Sequence, residues 1–303
     1  MMKLTEFYDE IRRILPNLEI CTNELMSKHT SFRIGEPAAV MAFPKNKEEL
    51  SILLKQSKLL DIKTAILGAG TNVLAPDEGM DCLVICLKDC FGGMEQIDDC
   101  HIRVAAGVTM TKAAIFAAKL GLSGLEFAHG IPGTVGGGVY MNAGAYGGEI
   151  CQVCTQVDVM DKEGNVRTLS GDQMGFSYRH SVLEDTGDIV LSAVFALSHA
   201  PEEEIRARMQ ELMKKRSASQ PLDLPSAGSA FKRPVGGFAA ALIDQAGLRG
   251  FQIGGAAVSE KHAGFAVNLG GATANDVKTL LRDVSNIVFE KSGIRLEPEV
   301  RIW

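Results

Sequence analysis

Residues 129–148 read HGIPGTVGGGVYMNAGAYGG, and eight of these twenty positions are glycine. The chain holds 32 glycines in 303 residues, so a quarter of them fall in this stretch. Glycine loses more conformational freedom on ordering than any other residue and brings no side chain to a core. Such a stretch is kept only where something approaches its backbone closely. That something is either another part of the protein or a flat or phosphorylated ligand.

The length suits about two domains and a large core. A net charge of −6, a single Trp and one clear basic cluster at 214–216 argue against a nucleic-acid partner. The N-terminal MMKLTEFYDEIRRILPN mixes both charge signs and lacks an apolar run, so no secretion signal is expected. The longest apolar stretch, 189–197, falls short of the roughly 18 residues of a membrane span. A cytoplasmic monomer without a membrane partner is the expectation. Seven cysteines, an odd number, argue against a disulfide scaffold. Cys151 and Cys154 have redox-motif spacing, but CQVCTQVDVMD reads as a strand, where residues three apart face opposite sides. Two unconnected thiols are expected. Cys82, Cys86 and Cys90 lie in a strand and the turn after it, and no second ligand pair is visible, so no metal is expected.

Periodicity divides the chain softly near 87 and near 200. The first block carries helices at 5–15 and 47–60, the second capped by Asn46 with Glu48 and Glu49 in its first turn. Strands are expected at 38–43, 64–67 and 82–87. The second block has a strand at 101–106 and a helix at 110–120 that Gly121 stops. After the glycine stretch comes a hairpin of 153–160 with 166–169, then a strand at 189–197. The third block opens with a helix after Pro201, with Ile205, Met209, Leu212 and Met213 on one face. A loop is expected over 221–229. A last helix begins at Thr273, with Asp276 completing a variant capping box, and Gly293 ends it. LEPEVRIW closes the chain as a strand.

Residues 68–73, GAGTNV, follow a strand yet fail the dinucleotide fingerprint: Val73 stands at the third glycine position and Pro76 blocks an immediate helix. A backbone cradle for phosphate or a plain turn both fit. In the longer glycine stretch Pro132 fixes one φ, while Gly133 and residues 136–138 remove side chains. Two such loops suit a long ligand gripped at several places. Arg179 lies among aromatic and hydroxyl groups in GFSYRHS, and Ser229 in the small-residue segment SAGSAFKRP. Glu297 and Glu299 share one face of a short strand, and spacing does not choose between them. No G-x-S-x-G elbow surrounds Ser229 or Ser181, so a hydrolase triad lacks support. His129, His180 and His262 are scattered and read as structural.

HTSFRIGEPA, LGAGTNVL, GIPGTVGGGVYMNAGAYGGEI, YRHS, AGSAFKRP, AVSEKHAGF and LEPEVRIW, in this order, span nearly the whole chain. As a set they resemble the MurB-type UDP-N-acetylenolpyruvoylglucosamine reductases. The resemblance implies an α+β fold: a two-part FAD-binding module of the vanillyl-alcohol-oxidase type (1–87 and 88–200), then a smaller α/β substrate-binding domain (201–303). It implies FAD as cofactor, NADPH as co-substrate and a UDP-sugar enolpyruvyl ether as substrate. NADPH reduces the flavin, and the reduced flavin then reduces the vinyl group. FAD would be held by Gly68, Ala69, Gly70, Thr71, Asn72, Val73, Gly130, Ile131, Pro132, Gly133, Gly136, Gly137, Asn142, Ala143 and Gly144, with Arg33 and Ile189 as further candidates. Arg179, Ser229 and Glu299 fall on the family's catalytic positions; the motif picks the second glutamate. Tyr146, Lys215, Arg216, Lys232, Arg233 and His262 are candidate substrate contacts, although a solvated helix end equally explains Lys215 and Arg216. The chain departs from the family's frequent FKNP at Arg233 and from HANF at Gly264, and it lacks the tyrosine-bearing insertion of the longer class. An alcohol oxidase or dehydrogenase of the same fold, or a non-catalytic flavin or nucleotide binder, are the alternatives.

Overall fold

The computed structural model describes residues 2–303. Packing divides them into two units, each with its own apolar core. One comprises residues 2–23, Ala39–Ala69 and Asp81–Lys214. Its sheets follow the sequence reading. Thr64–Leu67 pairs in parallel with Met80–Cys86 in a four-stranded sheet with Glu19–Leu25 and Pro37–Phe43. A five-stranded antiparallel sheet is built from Met94–Gln96, His101–Ala105, Cys154–Met160, Val166–Ser170 and Ile189–Ala196. The boundary expected near 87 separates these two sheets but not two cores: Leu50, Leu83 and Ile85 share one cluster with Ile102, Val157 and Phe195. Local chemistry sets the element ends as expected. Asn46 accepts from Glu49 N at 2.9 Å and starts the helix Lys47–Leu59. Asp161 accepts from Glu163 N and Asn165 N and shapes the hairpin turn.

The other unit comprises Glu24–Ala38, Gly70–Met80 and Lys215–Trp303. The sequence placed its first two segments in the N-terminal block. Long-range pairing decides otherwise. Asp77 accepts from Ala274 N at 2.6 Å and from Asn275 N at 2.9 Å, reinforcing the Thr273–Asp276 capping box of the helix Ala274–Ser292. Val73–Leu74 pairs in parallel with Arg301–Ile302. Phe32, Ile34 and Leu74 are buried against Val277, Leu280 and Leu281. An antiparallel sheet of Ser226–Ser229, Phe265–Asn268, Ala256–Val258 and Gln252–Ile253 completes the unit.

Four local expectations change. The end of the loop at 221–229 is the strand Ser226–Ser229. Of LEPEVRIW only Arg301–Ile302 is a strand, with one bridge between Phe231 and Pro298. Met213 is 40% exposed, off the buried face of Ile205, Met209 and Leu212. The CQVC segment is a 3-10 turn, Ile150–Gln152, and the strand begins only at Cys154; both thiols are free. The strand argument for their separation does not apply.

Candidate active site

The glycine stretch contains a helix. Val135–Tyr140 is capped by Thr134, whose hydroxyl accepts from Gly137 N at 3.3 Å. A glycine inside a helix costs about 0.5–1 kcal/mol relative to alanine, so each one needs a reason. A Cβ on Gly136 would stand 2.9 Å from Ala106 Cβ, and one on Gly138 would stand 2.8 Å from Met110 Sδ. At Gly144 it would meet Glu149 Cγ at 2.6 Å. These three are glycine because the protein itself comes close. Gly137 differs: it is exposed, and only Thr134 Oγ1 would lie near its Cβ, at an ordinary 3.6 Å. Gly68 belongs to the same place, since a Cβ there would stand 2.6 Å from Thr134 Oγ1. The two glycine-rich segments thus meet at Thr134, a buried residue that sequence reasoning missed although threonine before a helix is an N-cap signal.

After the helix the chain turns back. Gly144–Ala145 pairs with Gly148–Glu149, and Tyr146 (φ +54°) and Gly147 (φ +86°) make the turn, the two positive φ values of a type I′ hairpin. Tyr146 stands 41% exposed at its tip. Asn142 is buried at φ +43°, and its side chain is committed to the protein: Oδ1 accepts from Cys151 N, and Nδ2 donates to Ser177 O and Glu149 Oε2. The amide of this expected FAD contact is engaged with its own protein on both sides. Ile189, another expected contact, is 6% exposed within the apolar core, paired with Met160. Ala143 N donates to Gly138 O and Ile131 N to Ala128 O, while Gly133 (φ +139°) gives its carbonyl to Met110 N. Pro132 is exposed and Gly130 partly so.

Arg179 sits on a tight corner. Ser177 and His180 exchange backbone hydrogen bonds of 3.1 and 3.2 Å, and Arg179 takes φ +56° between them. Its Nη2 donates to Gly144 O at 3.3 Å, and its guanidinium lies 5.1 Å from the Tyr178 ring centre. Among the described residues seven non-glycine positions have positive φ; Arg33, Asn142, Tyr146 and Arg179 are four of them. Backbone strain of this kind gathers at functional sites. His129, the first residue of the glycine stretch, has a buried Nδ1 with no partner among the described residues. Burial first, and Arg206 second, hold its pKa below the ordinary histidine value.

Ala69 ends the first unit's share of the 68–73 loop, and Gly70 begins the second's. Gly70 (φ +63°) leaves no room for a Cβ, which would stand 2.0 Å from His29 O. Ser31, in the HTSF segment, donates to Ser226 O at 2.6 Å. Thr71 and Val73 flank Asn72, whose Nδ2 donates to Glu299 O at 3.2 Å and whose carbonyl accepts from Arg301 N. Glu299 is bonded through its backbone to Ala230, the residue that follows the exposed Ser229. The Ala230 N–H donates to Gly264 O at 2.8 Å and its carbonyl accepts from Glu299 N at 2.9 Å. An irregularity between Ser226 and Ser229, with Gly228 at φ +78°, turns this strand end.

The glutamates now separate. Glu297 points outward, 76% exposed, with Lys232 Nζ at 3.7 Å; Glu299 is half-buried. Arg233 stacks 4.2 Å from the Phe238 ring centre. Gly264 donates its N–H to His262 Nδ1 at 3.1 Å, and a Cβ on Gly264 would stand 3.0 Å from that imidazole. The departure from HANF therefore lets the ring fold back on its own loop. Burial lowers the His262 pKa. Lys215 is exposed, whereas Arg216 is buried, so a solvated helix end describes only the first. Arg33 is exposed.

Residues 37–170 match the family model of an FAD binding domain, and residues 220–303 match that of the UDP-N-acetylenolpyruvoylglucosamine reductase C-terminal domain. The UDP-N-acetylenolpyruvoylglucosamine reductase of Agathobacter rectalis is 46% identical over 98% of both chains. That of Clostridioides difficile is 43% identical over 99% of both. The chain belongs to the UDP-N-acetylenolpyruvoylglucosamine reductase family. The crystal structure of the reductase (MurB) from Thermus caldophilus superposes with a TM-score of 0.81 at 36% identity, covering 95% of this chain and 99% of that one. An alkyldihydroxyacetonephosphate synthase, 18% identical over 64% of this chain and 40% of that one, shares the fold alone at a TM-score of 0.50. FAD is the cofactor of this reductase family, and the open backbone at Gly137 beside Thr134 and Gly68 fits a flat or phosphorylated group.

Proposed function

We propose that this chain reduces UDP-N-acetylglucosamine enolpyruvate to UDP-N-acetylmuramate, with NADPH as reductant and FAD as bound cofactor. The observation that carries the reading is the match to reductase relatives over almost the full length of the chain, supported by the backbone bond that holds Glu299 to Ala230, next to Ser229. FAD, when bound, would supply the hydride drawn from NADPH, and Gly68, Gly137 and the backbone near Pro132 would help to hold it.

Hydride addition to the vinyl CH2 carbon drives negative charge onto the neighbouring carboxylate. Arg179 meets that charge as a planar, always-charged donor. Glu299 in its protonated form adds a hydrogen bond, as a neutral acid does in other enolate-forming sites. Ser229 delivers a proton to the adjacent carbon. A serine hydroxyl is a weak acid, but the intermediate is a strong base and position supplies much of the advantage. Lys232 and Arg233 offer positive charge to the diphosphate. The reading extends to a cytoplasmic monomer with no nucleic-acid or membrane partner; no described helix is long and apolar enough to cross a membrane.

Stopped-flow spectroscopy of Ser229→Ala separates the half-reactions. Bleaching of the flavin by NADPH should persist, while reoxidation by the enolpyruvyl substrate falls by roughly 10²–10⁴-fold, the usual worth of a general acid. Equal loss of both halves, or of neither, would remove Ser229 from the proposed role.

A further inference from the structure

The turn that carries Arg179 is clamped to the glycine stretch at three points. Asn142 Nδ2 donates to Ser177 O at 3.0 Å, Ser181 Oγ donates to Tyr140 O at 2.8 Å, and Arg179 Nη2 donates to Gly144 O at 3.3 Å. The residues that donate the first two are buried: Asn142 is 2% exposed and Ser181 is fully enclosed. Asn142 is itself held on the other side by Cys151 N at 2.9 Å and by Glu149 Oε2 at 3.3 Å. Both amide N–H donors and the amide oxygen are engaged within the protein.

Arg179 needs such support. It occupies the left-handed region, which a non-glycine residue keeps only when its surroundings over-determine it. Its long side chain also magnifies any rotation of the corner at the guanidinium. We propose that Asn142 and Ser181 are positioning residues, which fix the Ser177–His180 corner on the glycine stretch and so place Arg179 for its work. The proposal rests on the reading of Arg179 as partner of the developing carboxylate charge.

The test uses the full-length, FAD-loaded protein. Asn142→Asp keeps a residue that tolerates positive φ and keeps the acceptor for Cys151, but it removes the donors to Ser177 O and Glu149 Oε2. Ser181→Ala removes the second clamp from a different direction. In each, reoxidation of the NADPH-reduced enzyme by the enolpyruvyl substrate should slow, by up to about 100-fold for a displacement near 1 Å. Flavin content and NADPH bleaching should stay at the parent level. The double variant Arg179→Lys with Asn142→Asp should lose little beyond Arg179→Lys alone, because both remove one function. Losses that multiply, loss of bound FAD from Asn142→Asp, or equal slowing of both half-reactions would overturn the proposal and make Asn142 a cofactor ligand or a general stabiliser. If Asn142→Asp does not fold, Ser181→Ala decides by the same measurements. A normal reoxidation rate in Arg179→Lys and Arg179→Ala would instead overturn the reading of Arg179, and the proposal with it.

Discussion

Gly136 and Gly137 are neighbours on one helix with opposite constraints. Alanine at 136 pushes its Cβ to 2.9 Å from Ala106 Cβ, which real packing does not tolerate. Alanine at 137 meets only the Thr134 hydroxyl at 3.6 Å and gains helix propensity of about 0.5–1 kcal/mol. Gly136→Ala should therefore lower the melting temperature of the FAD-free protein. Gly137→Ala should leave it level or raise it, and should weaken FAD binding in a fluorescence titration. The sequence made both glycines look like ligand contacts; only their surroundings tell them apart. His129 and His262 make a second pair at this scale. Burial holds both below the ordinary value near 6.5. A group with a lowered histidine pKa is neutral when folded, so the unfolded chain binds the proton first as pH falls through 6.5. Stability is then lost toward acid. Melting curves at pH 7 and pH 5 should show this loss, and replacing both histidines by glutamine should shrink the difference.

At the scale of elements, two threonine caps serve different ends. Thr134 starts the helix Val135–Tyr140 and touches the space of Gly68; Thr273 starts the long helix Ala274–Ser292 in the other unit. Loss of a cap costs about 1 kcal/mol. Both Thr134→Ala and Thr273→Ala should shift the urea midpoint downward by a comparable amount. Only Thr134→Ala should also speed flavin release, because its helix bears Gly137. A flavin that leaves both variants equally fast would deny Thr134 a place at the cofactor.

For the whole molecule, a cofactor that binds the folded chain alone adds stability by mass action, about 2.7 kcal/mol at a free concentration one hundred times the dissociation constant. Calorimetry of the FAD-free protein with increasing FAD should show the melting temperature climbing with concentration, while NADPH alone leaves it nearly fixed. A flat response to FAD would contradict the cofactor assignment. The same scale holds the main departure from a linear reading. Segments Glu24–Ala38 and Gly70–Met80 are far from the C-terminus in sequence yet pack in its core.

Much was legible from residues in order. The amphipathic stripe 277–288, the Asn46 and Thr273 caps, the hairpin of 153–160 with 166–169 and the strand before GAGTN all depend on spacing of a few residues, which a sequence displays directly. The ordered motifs likewise marked the family. Tertiary structure alone decided the rest. It moved Glu297 out to Lys232 and set Glu299 against Asn72 and Ala230. It spent the Asn142 amide on Ser177 and gave Asp77 to a helix some two hundred residues away. It also assigned each glycine of the central stretch a neighbour or left it open. Periodicity and capping act over a few residues of chain, so sequence carries them. Which backbone meets which side chain across the fold is fixed by close packing between distant segments, and no local pattern encodes that.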